Sequence, residues 1–297
     1  MILLNQPHTP WACMFAEAFS ELEIHIPEWR FELRDLPENV SVVPVDDILP
    51  QSYDCIITDF AHDDFAKVST KRRISVVHIE QNIGDESHRK LIEKVYASND
   101  FVVAVTDHKK WTLQDFALSP KTRVINCIAP ENPMLPLDTG IIGCVQNRMT
   151  PEKMAIWDAV AEHQNCVAIG HFNAITKGGA FVPNGTNAYL SVLKTLSVFV
   201  NVVSGDAFGM SPVEAMSFGI PMVTGFSRDI EDEFISGWNC LMTDNRGHRS
   251  ALQIAAFAIQ LRNDQSLRER IGSAGRDTVR RIFSKEKFRS SFEEIMS

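Results

Sequence analysis

Short β-branched and aliphatic runs alternate with helical stretches along this chain, and the alternation stops once and starts again. Ile2–Leu4, Cys55–Thr58, Ile74–Ile79, Phe101–Thr106 and Val124–Cys127 read as strands, with helices over residues 11–22, 86–97 and 108–117. Residues 129–140 (APENPMLPLDTG) then carry Pro130, Pro133 and Pro136 with little periodicity, a composition that favours an extended linker. Beyond it, Ile141–Val145, Cys166–Ile169, Val198–Val203 and residues 221–224 read as strands. Residues 151–163, 187–195, 212–218, 248–261 and the amphipathic tail 264–297 read as helices. Strands that take turns with helices form βαβ units and parallel sheets. The expectation is an α/β chain of two Rossmann-like domains, 1–134 and 135–279, with a C-terminal helix over 280–297. Such pairs bind ligands in the cleft between them, at the carboxyl ends of the strands.

Composition narrows the class. With 44% hydrophobic and 23% charged residues among 297, the chain is neither disordered, collagenous nor a disulfide scaffold. Apolar runs such as Leu196–Val203 are interrupted by Ser or Asn and fall short of the ~18 residues of a spanning helix. The opening MILLNQPHTP lacks a basic n-region and a small-residue cleavage site, so no signal peptide is expected. A net charge of −9 disfavours sequence-independent nucleic-acid binding, which relies on phosphate neutralisation. Residues 262–289 hold nine basic and four acidic side chains; they read as a solvated helix face, with a membrane-surface or anion-binding face as the alternative. The six cysteines form no C-x-x-C pair and no zinc spacing. Cys55, Cys144 and Cys166 sit in strand-like runs and read as small buried hydrophobes of a reducing cytosol. The acidic pairs Asp46-Asp47 and Asp63-Asp64 lack partner spacing and read as solvated loops, so no metal site is expected.

Two segments carry chemistry. Val198–Thr224 (VFVNVVSGDAFGMSPVEAMSFGIPMVT) reads strand, loop, short helix, turn, strand. Ser211 fits an N-cap, Pro212 the first helical position and Glu214 the third, an S-x-x-E capping box. Gly219 fits the residue just past the helix end, and Pro221 prevents continuation. Gly205 and Gly209 let backbone amides approach a ligand, and a helix N-terminus is an anion site. In Gln146–Lys153 (QNRMTPEK), Thr150 fits an N-cap and Pro151 the next position, which puts Arg148 and Lys153 at a helix start. Cations there oppose the helix dipole by about 0.3–1 kcal/mol each. They are either plain surface charges or partners of an anion such as a diphosphate.

The run from Asp206 to Val223 resembles the E-x7-E region of family 4 retaining glycosyltransferases of GT-B fold, and Arg148…Lys153 resembles that family's G-R-x-x-x-x-K element. Val76-Val-His78 resembles the strand that ends in the family's active-site histidine. The resemblance implies a GT-B fold with the C-terminal helix returning to the N-terminal domain. It implies transfer of a sugar from a nucleotide-sugar donor to an acceptor hydroxyl with retention of configuration, and no metal or other cofactor. A UDP- or GDP-sugar is the implied donor. Glu214 would bind the two ribose hydroxyls, a role that competes with its capping-box reading. Asp206 would face the donor sugar or the departing diphosphate. The amides of Phe208, Gly209 and Met210 would lie along sugar and phosphate, and Arg148 and Lys153 would clamp the diphosphate. His78 would hydrogen-bond the sugar, its alternative being a structural strand-end histidine. Gly170-His171-Phe172 and Phe181-Val182 are candidate base contacts. The sequence departs from the family at Asp206, which is one methylene shorter than the usual Glu, at the glycine-free NQPHTPW loop, and at Cys240 in a usual glycine place.

The acceptor is left open: a glycan, a lipid-linked sugar or a hydroxylated nucleic-acid base. Lys71-Arg72-Arg73 and His108-Lys109-Lys110 are either solvated loops or contacts to a lipid-linked acceptor. The expected setting is cytoplasmic, with peripheral contact at the inner membrane face as an option. The rival functions are a nucleotide-sugar epimerase or phosphorylase of the same architecture, and a non-catalytic sugar-nucleotide sensor that kept the donor clamp.

Overall fold

A computed structural model describes residues 1–5, 9–28, 36–59, 65, 67–77, 86–105, 120–145, 150–163, 165–170, 179–181, 187–202, 209–225, 233–243 and 248–297. The chain divides into two compact units. Residues 1–128 together with 283–297 form one, and residues 129–282 form the other.

The first unit is built on seven parallel strands: β1 (Ile2–Asn5), β2 (Ile24–Pro27), β3 (Val40–Val43), β4 (Ser52–Asp59), β5 (Ser69–Val77), β6 (Phe101–Ala104) and β7 (Thr122–Val124). Their order is β3-β2-β1-β4-β5-β6-β7. The order turns back between the neighbours β1 and β4, and such a reversal is where α/β sheets open a crevice at their carboxyl ends. The helices α1 (Thr9–Ala18), α2 (Val45–Ile48) and α3 (Glu86–Ser98) follow β1, β3 and β5. Strands β2 and β3 had no sequence signal. IHIP is short and ends in proline, and the middle residues of Val40–Val43 are exposed, so neither forms a long apolar run. The helix expected over 108–117 lies outside the described residues.

The tail expected to be helical over 264–297 is two helices, α8 (Gln265–Ile282) and α9 (Lys285–Met296). The break is a cap: the Ser284 hydroxyl accepts the Lys287 amide at 3.2 Å. α9 belongs to the first unit, where its Phe288 and Phe292 meet Trp11 and Phe15 of α1 at ring separations of 5.3–6.1 Å. The i, i+4 spacing on both helices (11/15/19 and 288/292) puts the rings on facing stripes. Arg289 fastens the pair, donating to the Ala18 carbonyl at 2.6 Å and to both Glu21 carboxylate oxygens at 2.6 and 3.1 Å. These hydrogen bonds hold the Glu21 carboxyl below its ordinary pKa. Phe292 is fully buried. Phe292→Ala is expected to cost about 3–5 kcal/mol of unfolding free energy, the range for a core Phe lost to a cavity, measured by urea titration.

The second unit has six parallel strands: β8 (Ile142–Val145), β9 (Cys166–Gly170), β10 (Gly179–Phe181), β11 (Val198–Asn201), β12 (Met222–Thr224) and β13 (Leu241–Met242). Their order, β10-β9-β8-β11-β12-β13, repeats the arrangement of the first sheet. The helices are α4 (Pro151–Ala161), α5 (Asn187–Leu193), α6 (Met210–Ser217), α7 (His248–Asn263) and α8. The core joins Trp157 and Val160 of α4 to Ile254, Ala258 and Leu261 of α7, over Ile142, Cys144, Val198 and Val200 of the strands. Arg268 is 6% exposed and donates to the carbonyls of Leu261 (3.0 Å) and Arg262 (2.7 Å), so it closes the C-terminal turn of α7. β13, two residues long, and β10, set in a Gly- and Lys-rich stretch, carried no periodic signal.

None of the six cysteines forms a disulfide. Burial pushes the Cys55 and Cys240 thiols up to about 12, which leaves them inert as nucleophiles.

Candidate functional site

The carboxyl edge of the second sheet carries the described candidate residues. β8 lies between β9 and β11, with Val198 opposite Ile142 and Phe199 opposite Gly143. The chain leaves β8 toward α4 and leaves β11 toward α6, so the two helix starts follow adjacent strands at the point where the strand order reverses.

At α4 the expected cap is present. Thr150 is the N-cap, its hydroxyl accepts the Lys153 amide at 3.3 Å, and Pro151 follows it. Lys153 is half-buried in the first turn. Glu152 stands beside it, its carboxyl held below the ordinary range by its own backbone amide and by the Thr150 hydroxyl. The α4 start therefore presents one carboxylate and one ammonium. Arg148 lies outside the described residues.

At α6 the structure corrects the sequence reading. The N-cap is Gly209, in extended conformation and with no side-chain cap, and the helix begins at Met210. Ser211 is therefore the second helical residue, Pro212 the third and Glu214 the fifth. Proline is tolerated there because no first-turn amide needs an intrahelical partner. The S-x-x-E box does not form, and Glu214 is turned to another use. Half-buried, it accepts the Tyr189 hydroxyl of α5 on Oε2 at 2.7 Å. The N-cap glycine, exposed, leaves the Met210 and Ser211 amides without a side-chain acceptor from the cap position.

The far end of α6 is firmly held. Gly219 has φ +82°, its amide reaches the Met216 carbonyl (2.9 Å) and the Ile220 amide reaches the Ala215 carbonyl (3.2 Å), the double closure of a Schellman motif. Arg276 of α8 donates to the carbonyls of Ser217 (3.0 Å) and Asn132 (2.6 Å). Asn132 in turn donates to the Ser217 hydroxyl at 2.7 Å. Part of the proline-rich segment is thus tied to α6 and fixes the helix that carries Glu214.

Gly170 ends β9 with φ +131°, a conformation that favours glycine, and is buried. Lys153, Glu214, Gly209, Met210 and Gly170 all belong to the second unit, at the carboxyl ends of β8, β9 and β11 or on the helices that follow them. Asp206, Phe208, Arg148 and His78 lie outside the described residues, as do His171, Phe172 and Val182. β5 is described as far as Val77.

Two expectations about basic residues change. Lys71-Arg72-Arg73 are strand residues in the first half of β5, away from its carboxyl end, and they have partners. Lys71 pairs with Asp54 at 2.6 Å, and Arg73 donates to the Phe65 (3.1 Å) and Val68 (2.5 Å) carbonyls. The Lys71 and N-terminal ammonium groups hold Asp54 down at about 2. The basic stretch 262–289 is not simply a solvated face. Arg268 is buried, Arg276 closes α6, and Arg281 pairs with Glu233 at 2.9 Å. His108-Lys109-Lys110 and Asp63-Asp64 lie outside the described residues; Asp46 and Asp47 occupy the first turn of α2.

Sequence reasoning missed Tyr189, which sits in a helix with no motif of its own. It also missed a polar row in the first sheet. Asn5 is opposite Thr58, and Thr58 opposite Ser75, so the three share a face near the carboxyl ends of β1, β4 and β5. All three are buried, and among the described residues the Asn5 amide and Ser75 hydroxyl have no hydrogen-bond partner. The signal available was a polar residue closing an apolar run at Asn5 and at Thr58; Ser75 lies inside its run.

No helix among the described residues is long and apolar enough to cross a membrane. No protein-family description and no curated protein matches the chain. Solved structures do. Sucrose-phosphate synthase from Thermosynechococcus elongatus matches with a TM-score of 0.72 at 14% identity, over 99% of this chain and 97% of that one. HepE from Anabaena, in complex with UDP and glucose, matches with a TM-score of 0.71 at 14% identity, over 99% and 98%. TarM from S. aureus matches with a TM-score of 0.61 at 16% identity over 82% of this chain and 55% of its own, so the chain spans about half of that protein. Identities this low carry the fold alone, and the fold of this chain is GT-B, the α/β architecture of those glycosyltransferases.

Proposed function

We propose that the protein is a retaining glycosyltransferase that moves a sugar from a nucleotide-sugar donor to an acceptor hydroxyl. The observation that carries the reading is the pairing of two helix starts after adjacent strands at the reversal of the second sheet. One holds Lys153 in its first turn; the other has a bare glycine cap and Glu214 one turn further in. HepE, a neighbour in fold, has been crystallised with UDP-glucose, which supports a nucleotide sugar as the ligand here.

In this reading Lys153 and Arg148 take the charge that grows on the diphosphate as its bond to the sugar breaks, the largest kind of contribution such chemistry receives. The amides of Phe208, Gly209 and Met210 add fixed dipoles. Glu214 accepts the ribose hydroxyls. Asp206 and His78 contact the donor sugar, and Gly170 lies by the base. The sugar passes through an oxocarbenium-like state, and the acceptor hydroxyl attacks from the leaving-group side. Attack on that face retains the configuration, and the acceptor's proton goes to a diphosphate oxygen. The charge is carried by the chain's own cations, and the reading needs no metal. The setting proposed is cytoplasmic.

A thermal-shift screen across UDP-, GDP-, ADP- and dTDP-sugars tests the reading. A donor at 100 times its Kd adds about 2.7 kcal/mol, roughly 5–10 °C in a chain of this size. No shift with any donor would remove the assignment. A shift without transfer to any alcohol or hydrolysis of labelled donor would leave a binding protein, and the anomeric configuration of a product would decide retention.

A further inference from the structure

We infer that Tyr189 is a positioning residue for the nucleotide site: its buried hydroxyl sets the carboxylate of Glu214 in the orientation that selects ribonucleotides over 2′-deoxyribonucleotides. The inference rests on the proposed role of Glu214 as the ribose ligand and deepens it.

Tyr189 is 1% exposed, on α5, and its phenol is 2.7 Å from Glu214 Oε2. A phenol facing a carboxylate acts as the donor, since an ionised carboxylate only accepts. The contact joins two elements that the sequence separates by 25 residues. The terminal torsion of a glutamate side chain is broad and roughly two-fold, so an unrestrained carboxylate turns freely at that bond. Vicinal ribose hydroxyls present two donors side by side and need the carboxylate in one plane.

The backbone beneath Glu214 is already fixed, by the Schellman closure at Gly219 and by Arg276 on the Ser217 carbonyl. On that fixed backbone the Tyr189 hydroxyl restrains the Glu214 side chain. A carboxylate offers about four lone-pair positions. Tyr189 takes one of them, on Oε2. The rigid phenol, itself packed in the core, gives the carboxylate a reference point that a solvent-exposed partner could not.

The test compares binding of UDP with 2′-deoxy-UDP, and GDP with 2′-deoxy-GDP, by calorimetry in the wild type, Tyr189→Phe and Glu214→Gln. Tyr189→Phe keeps the ring and removes only the hydroxyl. The expected result is that wild type favours the ribonucleotide at least tenfold, Glu214→Gln abolishes the preference, and Tyr189→Phe reduces it about fivefold with deoxynucleotide affinity unchanged. If Glu214→Gln abolishes the preference and Tyr189→Phe keeps it, whatever its melting temperature, Tyr189 is structural only and this inference fails while the ribose role stands. If Glu214→Gln also keeps the preference, or the wild type binds none of the four nucleotides, the ribose role itself fails and this inference with it.

Discussion

Lys153→Ala is expected to move two observables in opposite directions. Lys153 lies in the first turn of α4, where its charge opposes the helix dipole. Removing it is expected to leave the ligand-free protein as stable or more stable, by up to about 1 kcal/mol. Donor binding is expected to suffer. A charge-assisted hydrogen bond to phosphate contributes about 1.5–3 kcal/mol, which corresponds to a Kd about 10- to 150-fold weaker. Turnover is expected to fall further, by about 10²–10³, if the ammonium meets charge that develops only as the diphosphate departs. A melting curve and a donor titration on the same preparation read both effects. A donor affinity equal to wild type would remove Lys153 from the site, and a large loss of ligand-free stability would show that its work is structural.

The second large effect is on folding. Gly272 lies in α8, where helix propensity alone favours alanine by about 0.5–1 kcal/mol. The packing says the reverse. A Cβ at this position would be 2.0 Å from the Gly219 carbonyl oxygen and 3.4 Å from the Pro221 ring. The oxygen is backbone, in the Schellman turn that ends α6, so no side-chain rotation relieves the overlap. α8 and the end of α6 would have to separate by more than an ångström, against the Arg276 bonds that join them. Overpacking of this kind costs about 1–3 kcal/mol and occasionally more. With backbone on both sides, Gly272→Ala is expected at or above the top of that range, lowering the melting temperature by roughly 6–12 °C. The nearby Gly275, whose Cβ would meet the Asn239 carbonyl at 2.9 Å, should behave similarly but less severely. A melting temperature at or above wild type for Gly272→Ala would mean the two helices do not approach this closely.

Local chemistry was readable where it is decided within a few residues. The β-branched runs that form β1, β4, β5, β6, β8, β9, β11 and β12 are apolar because strands of a parallel sheet are covered on both faces. The Thr150-Pro151 start and the Gly219-Pro221 stop were legible because a cap depends on the residue's own side chain and φ. Ser211 shows the limit. A Ser-Pro pair and a bare glycine two residues earlier compete for one helix start, and no local rule ranks them. Gly209 won, and Glu214 was thereby carried two positions deeper into the helix.

The alternation of strand and helix, the proline-dense break and the two marked helix ends were set by the order of residues alone. Strand order, and with it the placement of the α4 and α6 starts after neighbouring strands, depends on which apolar faces bury one another, and so only the folded chain decided it. The same holds for Tyr189 on Glu214 and for Arg276 on the end of α6, whereas the placing of α9 in the first unit was already implied by the family resemblance. Each of those two contacts joins residues far apart in sequence, and a contact made by folding leaves no period, spacing or composition in the chain that makes it.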